Sequence, residues 1–237
     1  MSTPTLVAIH QPNFLPWLGY FDKLARADVF VLLDHVQFSK SGGTWSNRVQ
    51  LLVNGRPAWV TMPIVRAYHG VRSYRQMQIE PDARWRSKLL RTIHLNYAAA
   101  PCFDEIFPTL QSLLAYPSDN LAEFNEAAIR ALAAGLGLST AHMVRSSELA
   151  VQGQASDMLV SLVQAVRGDA YLTGGQAAAY QQDEKFAAAG IAVVWQNFVH
   201  PLYAQGRREE FTPGLSVVDA LMHCGWQGTA ALLRASR

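Results

Sequence analysis

Residues 5–34, TLVAIHQPNFLPWLGYFDKLARADVFVLLD, contain two apolar runs that each end in a polar, chemically capable side chain. The first run ends at His10 and is stopped by Gln11-Pro12, and the second, from residue 27, ends at Asp34. Short apolar runs rich in β-branched residues predict buried strands, and residues 19–26 between them predict a short helix. Because strand, helix, strand is how a parallel sheet begins, this stretch predicts an α/β fold.

The rest of the chain continues this pattern with two insertions. Asn54-Gly55 joins two strand-like runs and predicts a type I′ β-hairpin over about residues 46–64. Residues 84–137 predict a helical section with a break bracketed by Pro101 and Pro108, and after it short apolar strands alternate with helices, one of them over 177–189 and the last ending near Gly225. We therefore expect a single α/β domain over residues 1–237: a mostly parallel, Rossmann-like sheet flanked by helices, with an inserted β-hairpin and a helical middle section.

Composition and charge narrow the class of protein. Half of the residues are apolar and only 16% are charged, which is typical of a compact globular protein and not of a disordered one. A net charge of +2 does not favour nucleic acid as a partner. The sequence shows no apolar run long enough to span a membrane and no signal-peptide pattern, so we expect a cytoplasmic protein that does not act at a membrane. Two distant cysteines, Cys102 and Cys224, predict buried free thiols.

The ends of the predicted strands supply candidate functional residues. In an open parallel sheet, ligands bind beyond the carboxyl ends of the strands. His10 and Asp34 occupy two such ends, and Gly174-Gly175 follow a third strand and precede a helix, where backbone N–H groups can cradle an anion. The loop NFVHPLYAQ, residues 197–205, follows a further strand and adds His200, Tyr203 and Gln205.

The loop after the first strand has the features of a preorganised wall of a small-molecule site. Pro12 and Pro16 fix the backbone, and Trp17 and Tyr20 offer rigid aromatic surfaces with polar ends. Lys23 lies one turn into the following helix and can supply a cation for a carboxylate or a phosphate. The alternative is a well-packed corner without a ligand, in which Lys23 is a solvated helix residue.

Several chemistries lack their sequence signatures here. The sequence contains no HExxH, no Cys/His cluster, no GxSxG, no Walker loop and no GxGxxG. The sequence therefore predicts neither a metal site nor a required cofactor.

Motifs along nearly the whole chain resemble the WbqC-like protein family. They are IHQPNFLPWLGYFDKLARADVFVLLDHVQFSK from residue 9, Asn47-Arg48, Trp85 and Lys88 before a Tyr and APCF, YLTGG followed by a Tyr, and HPLYAQ followed by LSVVDAL. The opening pattern HQPxFxPWxGYxxK is distinctive. The chain departs from the family pattern in SKSGGTWSNR, residues 39–48, and after Lys88, where the pattern has a histidine.

The resemblance implies a biosynthetic enzyme, a transferase, since members resemble components of O-antigen, other surface-polysaccharide and natural-product gene clusters. The pattern marks these positions of the chain: His10, Gln11, Pro12, Trp17, Gly19, Tyr20, Lys23, Asp34, Gln37, Asn47, Arg48, Gly174, Tyr180, His200, Pro201, Tyr203, Gln205 and Asp219.

We expect acyl or aminoacyl transfer from an activated thioester to an amine or amino sugar, forming an amide. His10 or His200 would be the general base, Asp34 would orient it or bind the amine, and Gly174-Gly175 would stabilise an oxyanion. Ten more of the marked residues would bind substrate: Gln11, Trp17, Tyr20, Lys23, Gln37, Asn47, Arg48, Tyr180, Tyr203 and Gln205. The co-substrate would be an acyl thioester of coenzyme A or of an acyl carrier protein. The alternatives are a nucleotide-dependent ligase or nucleotidyltransferase, and a non-catalytic module that binds a sugar or a carrier protein. The oligomeric state is not predicted.

Overall fold

A computed structural model of the protein describes residues 3–39, 44–82, 84–175, 181–206 and 210–236. Its centre is a sheet of five strands: β1 (Leu6–His10), β2 (Val29–Leu32), β5 (Met143–Arg145), β6 (Ala170–Thr173) and β7 (Ala192–Trp195). The sheet is fully parallel, in the order β5-β2-β1-β6-β7, which confirms the predicted α/β fold. The helices are α1 (Leu18–Arg26), α2 (Arg84–Tyr97), α3 (Phe103–Leu114), α4 (Leu121–Gly135), α5 (Ala155–Ala165), α6 (Asp183–Ala188) and α7 (Val217–Ala235).

Alternation along the strands divides the core between the two faces of the sheet. Ala8 of β1 packs with α1 and the helical section in the larger core, on what we call the α1 face. Val7 and Ile9 of the same strand pack with α5 and α6 in a smaller core, on the α5 face. Because side chains alternate along a strand, His10 follows Ala8 onto the α1 face. The sheet is thus covered on both sides, as parallel sheets require.

The inserted hairpin forms where the sequence predicts it. Strands β3 (Arg48–Val53) and β4 (Arg56–Thr61) pair antiparallel, with Val53 opposite Arg56. The two turn residues both adopt positive φ, 51° at Asn54 and 70° at Gly55, as a type I′ turn demands.

Three helix boundaries show how well local sequence sets them. Helix α4 is capped by Asn120, the residue before its first turn, whose side chain accepts hydrogen bonds from the N–H groups of Ala122 and Glu123. The break expected between Pro101 and Pro108 is present but lies earlier: residues 98–102 separate α2 from α3, and Pro108 itself lies inside α3, which forgoes one backbone hydrogen bond and retains its apolar face in the core. At Gly225, where the last helix is expected to end, the backbone is not helical (φ 66°, ψ −176°), but α7 continues after this kink to Ala235.

Within the described part of the chain, no helix is both long enough and apolar enough to cross a lipid bilayer. Helix α6 spans only Asp183–Ala188 of the helix predicted over 177–189, and residues 176–180 lie outside the described residues.

Candidate functional site

A cleft of about 970 Å³ opens at the carboxyl ends of β1 and β6. Strand order reverses between these two neighbours, since β2 and β5 lie on one side of β1 and β6 and β7 on the other. Loops leaving the two strands diverge to opposite faces of the sheet, and the gap between them is where open α/β sheets bind ligands. Of the residues expected at the site, the cleft is lined by His10, Gln11, Trp17, Lys23, Gly174, Gly175 and His200.

The loop that follows β1 is fixed by contacts to distant parts of the chain. The side chain of Asn125 donates to the carbonyl oxygen of Pro12 at 2.9 Å. At the other end of the loop, the Ser216 hydroxyl donates to the carbonyl of Leu15 at 2.7 Å, and the N–H of Val217 donates to that of Pro16 at 2.8 Å. The start of α7 therefore clamps the loop, so the cleft wall is preorganised without a ligand.

Lys23 brings a buried cation into the cleft. Its side chain lies on the inner side of α1 and is only 6% exposed. Among the described residues no carboxylate lies within ion-pair distance of its Nζ, and burial lowers the pKa of Lys23 from 10.5 to about 8. Lys23 is also the one Lys, Arg, Asp or Glu side chain among the described residues that line the cleft. The cleft is thus built to receive an anion or a developing negative charge.

His10 is a neutral imidazole next to this cation. Burial, and secondly the charge of Lys23, lower the pKa of His10 from 6.5 to about 3. Its Nδ1 lies 3.1 Å from the carbonyl oxygen of Gln11. A carbonyl oxygen only accepts hydrogen bonds, so the ring proton sits on Nδ1 and Nε2 carries the free lone pair. His10 is therefore held in one tautomer as a hydrogen-bond acceptor.

Trp17 and His200 form an aromatic wall of the cleft. Their ring centroids are 5.1 Å apart, and Phe198 packs edge-on against both rings. Gly19 makes room for the indole: a Cβ at this position would lie 2.2 Å from the Trp17 ring. Partial burial lowers the pKa of His200 from its usual value.

The sequence reasoning missed several cleft residues, of which Gln196 is the most informative. Its Nε2 donates to the carbonyl of Gly19 at 2.6 Å and to Asp22 at 2.9 Å, which ties the end of β7 to α1. Gln196 directly follows β7, so the strand-end rule that identified His10 applies to it equally. The cleft also includes Ile9, Asn13, Leu33, Tyr74, Met158, Leu159, Tyr171 and Thr173.

Asp34 lies at the end of β2 as predicted, but not in this cleft. Its carboxylate accepts hydrogen bonds from the hydroxyls of Ser146 and Ser147, at 2.9 and 2.7 Å, and from the Ser147 N–H. Asp34 instead lines a separate cleft of about 310 Å³, together with Arg145. These bonds join the ends of β2 and β5, so the contacts of Asp34 give no support to its expected role as the partner of a catalytic histidine.

Six other expected binding residues do not line the cleft either; Tyr203 and Gln205 are described below, and the other four lie as follows. Tyr20 is buried behind His10, with the two rings 4.8 Å apart. Asn47 accepts hydrogen bonds from the N–H and hydroxyl of Thr44 and so shapes the 44–46 segment of the cleft wall. Arg48 lies over the Trp59 ring, and Gln37 is exposed in a bridge between loops. Tyr20 and Asn47 thus act as supports of the site.

Tyr203 and Gln205 belong to a buried network around Asp219. The Asp219 carboxylate is fully buried and accepts from the hydroxyls of Tyr97 and Tyr203, at 2.8 and 2.7 Å, and from Nε2 of Gln205 at 3.1 Å. Burial and the nearby Asp219 charge raise the pKa of both tyrosines above the usual value. The network fastens the loop after His200 to α7, which is an indirect contribution to the site.

Two further expectations concern Tyr180 and metal binding. Tyr180 lies outside the described residues. Among the residues that the structure does describe, no group of three or more His, Cys, Asp or Glu side chains is placed to hold a metal ion.

Comparison with known proteins supplies the family. The uncharacterized protein Rv1507c of Mycobacterium tuberculosis (strain ATCC 25618 / H37Rv) is 28% identical over 226 residues, which cover 92% of this chain and 94% of that protein. No solved structure matches the chain. The model of the WbqC-like protein family matches residues 11–231, a range that includes Lys23, Gly174-Gly175 and the Asp219 network. The chain belongs to the WbqC-like protein family.

Proposed function

We propose that the protein is a biosynthetic transferase that moves an acyl group from an activated thioester to an amine. The observation that supports this most is the buried ammonium of Lys23, without a carboxylate partner among the described residues, beside the neutral imidazole of His10. A cation stabilises the oxygen of a carbonyl under attack, and an imidazole lone pair accepts the proton of the attacking amine.

The proposed reaction proceeds through direct attack. The amine nitrogen bonds to the thioester carbon, its proton passes to Nε2 of His10, and the carbonyl oxygen becomes an oxyanion held by Lys23. When the oxyanion collapses, the C–S bond breaks and the thiolate takes the proton from His10. The products are an amide and a free thiol, and both catalytic side chains return to their starting states.

Burial is the main cause of the low pKa of His10 and the charge of Lys23 is the second, and the reaction can relieve the part that comes from Lys23. An oxyanion that forms beside Lys23 offsets the ammonium charge, so the imidazole becomes a stronger base as the proton transfers. His200 is the alternative base in the same cleft. Its ring lies beside that of Trp17, at an angle of 33°, and the two rings form an aromatic wall suited to the ring of an amino sugar.

The first test is a thermal-shift panel of acyl-CoA and pantetheine thioesters, nucleoside triphosphates with magnesium, and nucleotide-linked amino sugars. We expect stabilisation by thioesters or amino sugars. Stabilisation by nucleoside triphosphates alone would replace the transferase with a nucleotide-dependent ligase.

The second test measures thiol release from the thioester that binds, in the presence of candidate amines. His10→Gln should abolish release while thioester binding persists, and His94→Gln on the exposed side of α2 is the matched control. Loss in His200→Gln with full activity in His10→Gln would reassign the base to His200. Ligand binding that survives both substitutions, in a protein that never releases thiol, would favour a binding module.

A further inference from the structure

The cleft extends beyond His10 and Lys23, over the carboxyl edge of the sheet and onto the α5 face. His10, Trp17 and Lys23 lie on the α1 face, whereas Ile9 and Tyr171 belong to the core on the α5 face. At Gly174, on the sheet edge, no side chain stands between the two sides of the cleft. A Cβ at this position would lie only 3.6 Å from the Nζ of Lys23. One ligand can therefore touch Lys23 and extend across the edge.

The part of the cleft on the α5 face is an apolar arm. Its walls are Ile9 and Leu33 from the strand ends, Tyr171 from β6, and Met158 and Leu159 from α5. None of these residues is charged, and all five pack in or against the smaller core. The arm thus offers a surface of aliphatic side chains and the phenol ring of Tyr171, which stacks on Phe186 with the ring centroids 5.1 Å apart.

The hydroxyl groups of Ser156 and Thr173, next to this arm, already have partners within the protein. The Oγ of Ser156 accepts from the N–H of Gln182 at 3.2 Å, and the Oγ1 of Thr173 donates to Gln181 at 2.8 Å. Polar recognition in the cleft is thereby concentrated on the α1 face, around Lys23 and Gln196. A ligand that matches both sides has a polar or anionic end and an apolar tail.

We infer that the apolar arm binds an unbranched aliphatic chain of the acyl donor, with the carbonyl carbon at Lys23. This inference rests on the proposed function, because it names the donor class of the same site. The side chains of Met158 and Leu159 set the length of chain that fits, since they project into the arm from α5.

The test uses straight-chain carboxylates from two to twelve carbons as probes, with affinity measured by isothermal titration calorimetry. The carboxylate mimics the reacting end at Lys23 and the tail enters the arm. Each added methylene should tighten binding by about fourfold until the arm is full, after which affinity should stop rising. Equal affinity for all chain lengths would overturn the inference.

Two substitutions at one position give opposite expectations. Leu159→Ala should lengthen the chain at which affinity stops rising, and Leu159→Phe should shorten it. Val160→Ala is the matched control, since Val160 packs on the same core from the same helix without lining the cleft. General damage to the fold would weaken all chain lengths alike and would not move the optimum in opposite directions, so an unmoved optimum in both variants also overturns the inference.

The outcomes separate the arm from the chemistry. Chain-length-dependent binding without thiol release would support the apolar arm as a chain-binding site and contradict the transferase proposal. Thiol release from acetyl and long-chain thioesters with equal KM would support the transferase proposal and contradict chain binding in the arm.

Discussion

Replacing Lys23 by methionine should make the protein more stable and inactive at the same time. Methionine has a similar length but carries no charge, so it removes the cost of burying an ammonium without opening a large cavity. The pKa of Lys23 falls from 10.5 to about 8 because of burial. Each pH unit corresponds to about 1.4 kcal/mol, so the charge destabilises the folded state by about 3 kcal/mol at pH 7.

The expected gain is large enough to measure in a chain of this size. For a domain of 150–250 residues, 1 kcal/mol corresponds to about 2–4 °C in Tm, so Lys23→Met should raise Tm by about 6–12 °C at pH 7. Differential scanning calorimetry gives Tm, and thiol release gives the loss of turnover. Lys88→Met is the matched control, because Lys88 is exposed on α2 and its substitution should change neither quantity.

The dependence on pH distinguishes a buried charge from an ordinary packing effect. The folded-state pKa lies below the unfolded-state pKa, so between about pH 8 and 10.5 the unfolded chain binds the additional proton. The free energy of unfolding of the wild type therefore rises with pH through that window as far as Lys23 contributes to it. The difference in Tm between Lys23→Met and the wild type becomes smaller over the same window. A variant that is less stable than the wild type at pH 7, or an advantage that does not narrow, would refute the reasoning.

Three other perturbations test the surroundings of Lys23. His10, with a pKa of about 3, should show no imidazole titration between pH 5 and 9 by NMR. Lys23→Met should raise the pKa of His10, because the neighbouring charge is gone. An unchanged pKa of His10 in this variant would contradict the proximity of the two side chains. Gly19→Ala should displace the Trp17 ring, which a Cβ would approach to 2.2 Å, and so weaken ligand binding with little unfolding; retained affinity in calorimetry would speak against the aromatic wall. Asp219→Ala should lower the free energy of unfolding by about 3 kcal/mol or more in urea titrations, since it leaves two buried phenols without their acceptor. A loss under 1 kcal/mol would show that water replaces the carboxylate.

Local pattern was sufficient for the parts of the fold that depend on neighbours in the chain. The Asn54-Gly55 hairpin and the Asn120 cap follow from turn and cap chemistry within a few residues. The position of His10 at a strand end also followed, because an apolar run stopped by Gln-Pro marks both the strand and its direction. Lys23 was identified as a candidate cation of the site for a similar reason, as it lies about one turn beyond Gly19, the second residue of α1.

Long-range pairing was beyond sequence reasoning, and it decides the roles of the remaining candidates. Asp34 and Ser146 are 112 positions apart, and their bond depends on β5 lying next to β2. Tyr203 reaches Asp219 only because the loop after His200 folds back onto α7. A strand-end rule locates such side chains at the correct edge of the sheet. The strand order then determines whether they face the cleft between β1 and β6 or the end of a neighbouring strand.

The opening motif now divides into residues that touch the cleft and residues that hold them. His10, Gln11, Trp17 and Lys23 line it, while Tyr20 supports the His10 ring and Gly19 leaves space for the indole. A corner built only for stability would not retain Lys23, because an apolar residue of equal length relieves a cost of about 3 kcal/mol. Chains accept such a cost where a charge meets a ligand, so the buried charge of Lys23 supports the proposal that this motif binds one.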